Sequence, residues 1–335
     1  QDGKPREMEE FIYDASGVKL AESRRYRIWS FVQSSLTQVT VSQRSLVEIN
    51  FYDRRKGQAV YAHQYEGDSG LEEVIGISIF HYQTAFPSRL DYREDFRVVD
   101  IAHVDVLFND RTLSYNYLSK IVNEVLRGRT VFDKRGEREV YSWSYIGDFG
   151  QEKVAGLTTL HYQTDGETRD YTTFYTVIGT VDINLSDPNV RPSTFDYDTL
   201  IVDDCASQRS FYDAGGEVVV TTHNYSECGS AASYSLSLFG PADNMNPIQD
   251  FSFNVRGTSD ADTVLVRGKT RADIASLINT IRTTGDDPIT SIRDFDSLGR
   301  AIKVEQFGPD GATVMRTQNI TYISPFSQGI DRIVT

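Results

Sequence analysis

Three stretches of the chain set aromatic and imidazole side chains at every second position: Tyr61, His63 and Tyr65; Tyr141, Trp143 and Tyr145; Thr221, His223 and Tyr225. Such alternation puts each trio on one face of a β-strand. The rings would there either form an exposed ridge that stacks on sugars or on a partner's side chains, or pack inward as core. Ser142 and Ser144 take the opposite face of the middle trio and suit solvent, which favours inward packing. His81 and His161 stand at one repeated position, inside His-Tyr-Gln, as His63 and His223 do in their trios. Recurrence at equivalent positions points to architecture, because a catalytic site is normally needed once. The sequence therefore leads us to expect structural histidines and no metal. Asp203 and Asp204 with Glu227 offer a carboxylate pair of the kind glycoside hydrolysis uses, with solvated surface acids as the plain alternative.

Other catalytic signatures are missing from the sequence. There is no HExxH, no P-loop, no GxSxG elbow, no dinucleotide glycine fingerprint and no paired CxxC. No catalytic residue and no cofactor is expected, and the reading leans away from an enzyme. The 48 acidic and 34 basic side chains among 335 residues leave a net charge of −14, which repels phosphate backbones and excludes a general nucleic-acid binder. No apolar stretch approaches the roughly 18 residues of a membrane helix. An outer-membrane β-barrel would need a continuous lipid-facing band on every strand, which the two expected helices and the charges scattered along the strands oppose.

Cys205 and Cys228 bracket a hairpin whose turn is Asp213-Ala214-Gly215-Gly216. If Gly216-Glu217 forms a two-residue turn, paired positions sum to 433, and the two thiols face each other within reach of a disulfide. Such a closure stabilises by roughly 3 kcal/mol in the loop-entropy model, against the alternative of two unrelated buried thiols. The candidate bridge and a start at Gln1 rather than Met suggest a processed, exported chain.

Behind these side chains stands a duplication. Residues 53–83 and 133–163 align without a gap and share 14 of 31 positions. Asp14, Asp53, Asp133, Asp213 and Asp296 each follow an aromatic residue and shortly precede a glycine, and Asp53, Asp133 and Asp213 recur about every 80 residues. A strand follows each hairpin pair, opening at Asp91-Tyr92, Asp170-Tyr171 and Asp250-Phe251 and running across 171–183 in the second copy. Two helices are expected. One has Tyr117, Leu118, Ile121, Val122 and Val125 as its stripe and stops at Gly128; the other has Ile274, Leu277, Ile278 and Ile281 between a Thr270/Asp273 cap and Gly285. A weaker helix falls on 198–208, and 30–48 suits strand.

The fifth hairpin reads Phe295-Asp296-Ser297-Leu298-Gly299-Arg300, followed by Gly308, Asp310-Gly311 and Tyr322. It resembles the YD-repeat unit of Rhs-type and teneurin-type surface proteins, whose hairpin starts aromatic-Asp-x-x-Gly-Arg. Asp14-Ala15-Ser16-Gly17 and Asp213-Ala214-Gly215-Gly216 resemble the same start. The likeness is confined to the hairpins, one copy alone has the Gly-Arg pair, and the spacing is wider than the nearly head-to-tail units of that family. It implies an extracellular or envelope location and a scaffold or adhesion role without catalytic residues in the repeat.

The expected fold is α+β and β-dominated: tandem repeats of about 80 residues, each an antiparallel meander plus one short helix. The modules would span 46–128, 129–208 and 209–288, with partial modules at 1–45 and 289–335. The expected function is a structural, adhesive or partner-binding scaffold that is secreted, periplasmic or on the cell surface. Its partner would be a protein, further copies of the chain, or a glycan held by Tyr61, His63, Tyr65, Tyr141, Trp143, Tyr145, His223 and Tyr225. The alternative is a secreted hydrolase acting on glycans at a module junction.

Overall fold

The aromatic-Asp-x-x-Gly sequences close turns because the aspartate carboxylate replaces missing backbone partners and the glycine accepts a positive φ. In the computed structural model, Asp133 Oδ1 accepts the backbone N–H groups of Arg135 (3.2 Å) and Glu137 (3.0 Å). Asp213 Oδ1 likewise accepts those of Glu217 (2.9 Å) and Val218 (3.3 Å). Gly136 and Gly216 then donate back to the carbonyls of Asp133 and Asp213 at φ of 72° and 68°. The structure describes residues 7–35, 38–53, 56–99, 124–177, 194, 196, 198, 206–227, 230–240, 246–255, 268–284, 287–297, 299–322 and 330–334.

Among the described residues the strands form an open antiparallel sheet of eighteen. The first eight are β1 (Glu7–Tyr13), β2 (Leu20–Ser35), β3 (Gln38–Tyr52), β4 (Ala59–Glu66), β5 (Glu73–Tyr82), β6 (Leu90–Arg97), β7 (Val125–Phe132) and β8 (Glu139–Ile146). They pair consecutively along the chain. After them come β9 (Lys153–Tyr162), β10 (Arg169–Thr176), β11 (Ala206–Tyr212), β12 (Val219–Glu227), β13 (Ser230–Phe239) and β14 (Pro247–Asn254). Helix α1 (Arg271–Thr284) precedes β15 (Ile289–Phe295), β16 (Ala301–Phe307), β17 (Val314–Tyr322) and β18 (Ile330–Val334). From β10 to β18 the pairing is again consecutive. The chain divides inside β9 into two compact units, one built on Asp2–Leu157 and one on Thr158–Ile183 and Ser193–Thr335.

A bulge sits just beyond most turns, where two residues face one. Phe51 faces Tyr61 and Tyr52 faces Ala59, which leaves Val60 as the extra residue. Val140 and Val220 are its counterparts in the next two copies, and all three are completely buried. A bulge bends its strand and strengthens the local twist, so one valine per period both turns the sheet and fills the core. The expected register is corrected by the turn, which closes at Asp213 and Val218, a sum of 431, and the bulge restores one residue. Asp213 N–H bonds the carbonyl of Val218, and beyond Val220 the pairing is Arg209 with His223 and Gln208 with Asn224. Those positions sum to 432 rather than 433. Cys205 and Cys228 lie outside the described residues.

In the C-terminal unit Phe211, Leu236, Phe251 and Phe253 share one face of the sheet and cluster with Ile274 and Ile278 of α1. Burying each isoleucine contributes roughly 1.5–3 kcal/mol. Thr270 and Asp273 form the expected reciprocal cap: Thr270 N–H donates to Asp273 Oδ2 at 2.9 Å, and Asp273 N–H to Thr270 Oγ1 at 3.3 Å. In the N-terminal unit Ile49, Phe51, Tyr61, Ile77, Ile79 and Phe96 make the corresponding core.

The other expected helix is corrected where it is described. Val125 to Gly128 belong to β7, with Gly128 facing Asp95 on one side and Ser144 on the other. Burial of Val125, Val131 and Phe132 in the sheet outweighs a stripe that only weakly favours helix. Residues 117–122 of that expectation lie outside the described residues. The strand expected across 171–183 is described over Arg169–Thr176 and not from 178 on. In the 198–208 stretch, residues 206–208 are strand; Asp198 is described singly, and 199–205 lie outside.

Candidate functional site

The aromatic trios run into the interior. Tyr61, His63, Tyr141, Thr221 and His223 are buried, whereas Tyr65, Trp143, Tyr145 and Tyr225 are half-buried. Phe51 stacks on Tyr61 with centroids 4.4 Å apart, and His63 meets Phe51 edge-on at 5.0 Å. His223 lies between Phe211, edge-on at 5.3 Å, and Tyr234, stacked at 5.6 Å. Burial and the charge of Arg209 across the ladder push its imidazole down to about 4. Asp203 and Asp204 lie outside the described residues, as does the Glu227 side chain.

The repeated His-Tyr-Gln segments have three separable jobs. In the first copy Tyr82 donates its hydroxyl to the bulge-side carbonyl of Ala59 at 2.8 Å. Gln83 Nε2 reaches the Lys134 carbonyl in the next hairpin's turn at 3.4 Å, and Gln163 repeats this on Ala214 at 3.3 Å. These bonds tie successive turns together. The approach is close: a Cβ on Gly136 would fall 2.3 Å from the Leu90 nitrogen.

The histidine of each segment anchors a charged cluster. In the N-terminal unit His81 stacks on Tyr92 (4.1 Å, 10°) and its Nε2 lies 3.1 Å from Glu94 Oε2. Arg129, on β7, donates from Nε to Glu94 Oε1 at 3.1 Å and stands over the Tyr92 ring. Burial alone would raise Glu94, but the bonds and charges of His81 and Arg129 outweigh it and hold the carboxyl below the usual range. In the C-terminal unit His161 stacks on Tyr171 in the same way (4.1 Å, 9°), and Arg209 stands over that ring. Thr173 now occupies the position of Glu94, two residues beyond the tyrosine, and the carboxylate comes instead from Asp198.

Asp198 is nearly saturated. Oδ1 accepts Thr159 Oγ1 at 2.5 Å and faces His161 Nε2 at 3.1 Å; Oδ2 accepts Thr173 Oγ1 at 3.0 Å and Arg209 Nη2 at 3.4 Å. The Tyr175 hydroxyl also bonds to this carboxylate. Burial opposes the charge, but these donors, led by His161, bring Asp198 down to about 2. Asp196 Oδ1 lies 3.7 Å from His161 Nδ1. His161, Asp196 and Asp198 thus bring potential ligand atoms within 4.8 Å of one another. A cation there would have to compete with the Arg209 guanidinium and displace hydroxyl donors from Asp198, so the donor set suits ion pairing better than metal coordination.

Sequence reasoning found both histidines but not their carboxylates. Glu94 was within reach of the pattern, two residues past an aromatic that recurs with the period. Asp198 carried no such signal, because it lies between strands.

Fold and site together define a β-dominated repeat protein whose recurring polar side chains are occupied with one another. No family model and no curated protein matches the chain. Among solved structures it is similar to the Photorhabdus luminescens Tc holotoxin pore carrying the TccC3-D651A mutation, at 11% identity and a TM-score of 0.26 over 93% of this chain. It is also similar to the TcdB2-TccC3-TEV structure, at 10% identity and a TM-score of 0.18 over 94% of this chain. The chain spans 14% and 15% of the length of those two. Among the described residues no helix is long and apolar enough to cross a membrane.

Proposed function

We propose that the chain is a non-enzymatic repeat scaffold of the cell exterior (secreted, periplasmic or surface-held), working through contact with a protein partner or further copies of itself. The observation that carries this reading is the use made of the recurring histidines. His81 and His161, the side chains best suited to chemistry, each stack on a tyrosine and pair with an acid that an arginine also holds. On this reading the modules are 1–45, 46–128, 129–208, 209–288 and 289–335, and the hairpins are of the YD type.

Large apolar side chains stand exposed at or beside one hairpin end in each of two copies: Leu71 and Ile75, then Ile146 and Phe149. Such side chains suit a protein contact. A glycan would meet the aromatic trios at their half-buried members, Tyr65, Trp143, Tyr145 and Tyr225.

The test is turnover. The purified chain is incubated with polysaccharide, peptide and ester substrates, with and without divalent cations. No turnover is expected, while His81→Gln and His161→Gln lower the melting temperature. Turnover that His161→Gln or Asp198→Asn abolishes in a chain still folded by circular dichroism would overturn the scaffold reading in favour of a hydrolase.

A further inference from the structure

The two charged clusters share a tyrosine, a histidine and an arginine but differ in where the acid is attached. Glu94 is part of β6 itself, with Oε2 toward His81 and Oε1 toward Arg129. In the C-terminal unit the same place on β10 holds Thr173, and the residue one period after Ile79 is Thr159. The C-terminal copy has no strand acid at this place and has two hydroxyl donors that the other copy lacks, both aimed at one carboxylate. The donors come from three strands, β9 (Thr159, His161), β10 (Thr173, Tyr175) and β11 (Arg209), whereas the acceptor belongs to the connection between β10 and β11.

We propose that Thr159, His161, Thr173, Tyr175 and Arg209 form a carboxylate receptor on the sheet, and that the side chain of Asp198 is a plug that fills it. The receptor is specific for a carboxylate because its donors converge on two oxygens, with Arg209 Nη2 on one and an imidazole on the other. Once the plug is removed, a free monocarboxylate of the size of acetate takes its place.

The experiment uses full-length protein and acetate as the probe. Thermal unfolding of wild type, Asp198→Ala and Asp198→Ala/Arg209→Met is followed by circular dichroism at pH 7, in sodium acetate and in sodium chloride of equal ionic strength. Asp198→Ala is expected to melt several degrees below wild type in chloride and to recover in acetate, whereas the other two proteins are indifferent to the anion. Equal melting of Asp198→Ala in both salts, or the same rise in all three proteins, overturns the receptor.

A second variant, Thr173→Glu/Asp198→Ala, moves the acid to the strand as in the other unit, and it decides the matter even if the single variant does not fold. It should melt near wild type in chloride and ignore acetate; melting no higher than Asp198→Ala, or failing to fold, overturns the equivalence with Glu94.

Discussion

Lowering the pH from 7.5 to 4.5 should destabilise the C-terminal unit mainly through His223. The side chain is 2% exposed and Nδ1 has no hydrogen-bond partner among the described residues. Arg209 faces it from β11, Tyr234 from β13, and Thr221 and Tyr225 flank it along β12. Burial first, and then the Arg209 charge, lower its pKa from 6.5 to about 4. The unfolded chain thus binds a proton near pH 6.5 that the folded chain refuses until about pH 4. Stability is full above that window and falls as the pH drops through it. A gap of about 2.5 in pKa, at about 1.4 kcal/mol for each pH unit, amounts to ~3 kcal/mol. Asp198 and Glu94 have lowered pKa values and lose their contributions from the usual carboxylate range downward, so most of that loss falls below the window. Urea unfolding at pH 7.5, 6 and 4.5 measures the loss, and His223→Leu, an apolar side chain of similar volume, should remove most of it. An unchanged slope in the variant would show that His223 is not the group taking up the proton.

Glycine substitutions should separate backbone strain from crowding. Gly17→Ala meets only the strain of a positive φ, about 1 kcal/mol, whereas Gly136→Ala must also push back the Leu90 backbone and should lower stability by several times as much in the same urea assay. Val140→Ala empties a completely buried bulge position, at about 2 kcal/mol. The corresponding Ile302→Ala, at a position 40% exposed, should cost less than half of that by thermal denaturation. Arg271→Ala removes the partner held by Asp213 at 3.0 Å and should cost ~2 kcal/mol, with loss of the 222 nm signal of α1 at a lower temperature than in wild type.

Legibility from sequence followed the range of the interaction that fixes each feature. The Asp-x-x-Gly turns and the Thr270/Asp273 cap are settled within about six residues, so Asp133, Gly136, Thr270 and Asp273 announced them. The 80-residue period was legible because buried positions such as Val60, Val140 and Val220 accept few alternatives. Registers were harder. The turn closes at Asp213 and Val218 rather than on Gly216-Glu217, which lowers the pairing sum by two, and the bulge at Val220, which no local pattern marks, restores one. Val125 and Gly128 carried helix spacing and a helix stop, yet their cross-strand neighbours on β6 and β8 decided otherwise. The partnership of Asp198 with His161 joins residues 37 apart, and nothing between them advertises it.

The bulge beside each turn has a consequence for how such a chain can grow. Because a hairpin's alignment is settled by its own Asp-to-Gly bend and its own surplus residue, a gene segment encoding one hairpin carries its alignment instructions with it. Copying that segment adds strands without renegotiating those already in place, and an error in one hairpin stays there instead of slipping down the array. Lengthening by duplication is then nearly free of folding conflict, and later copies are at liberty to move a functional acid from strand to connection, as the exchange of Glu94 for Asp198 illustrates.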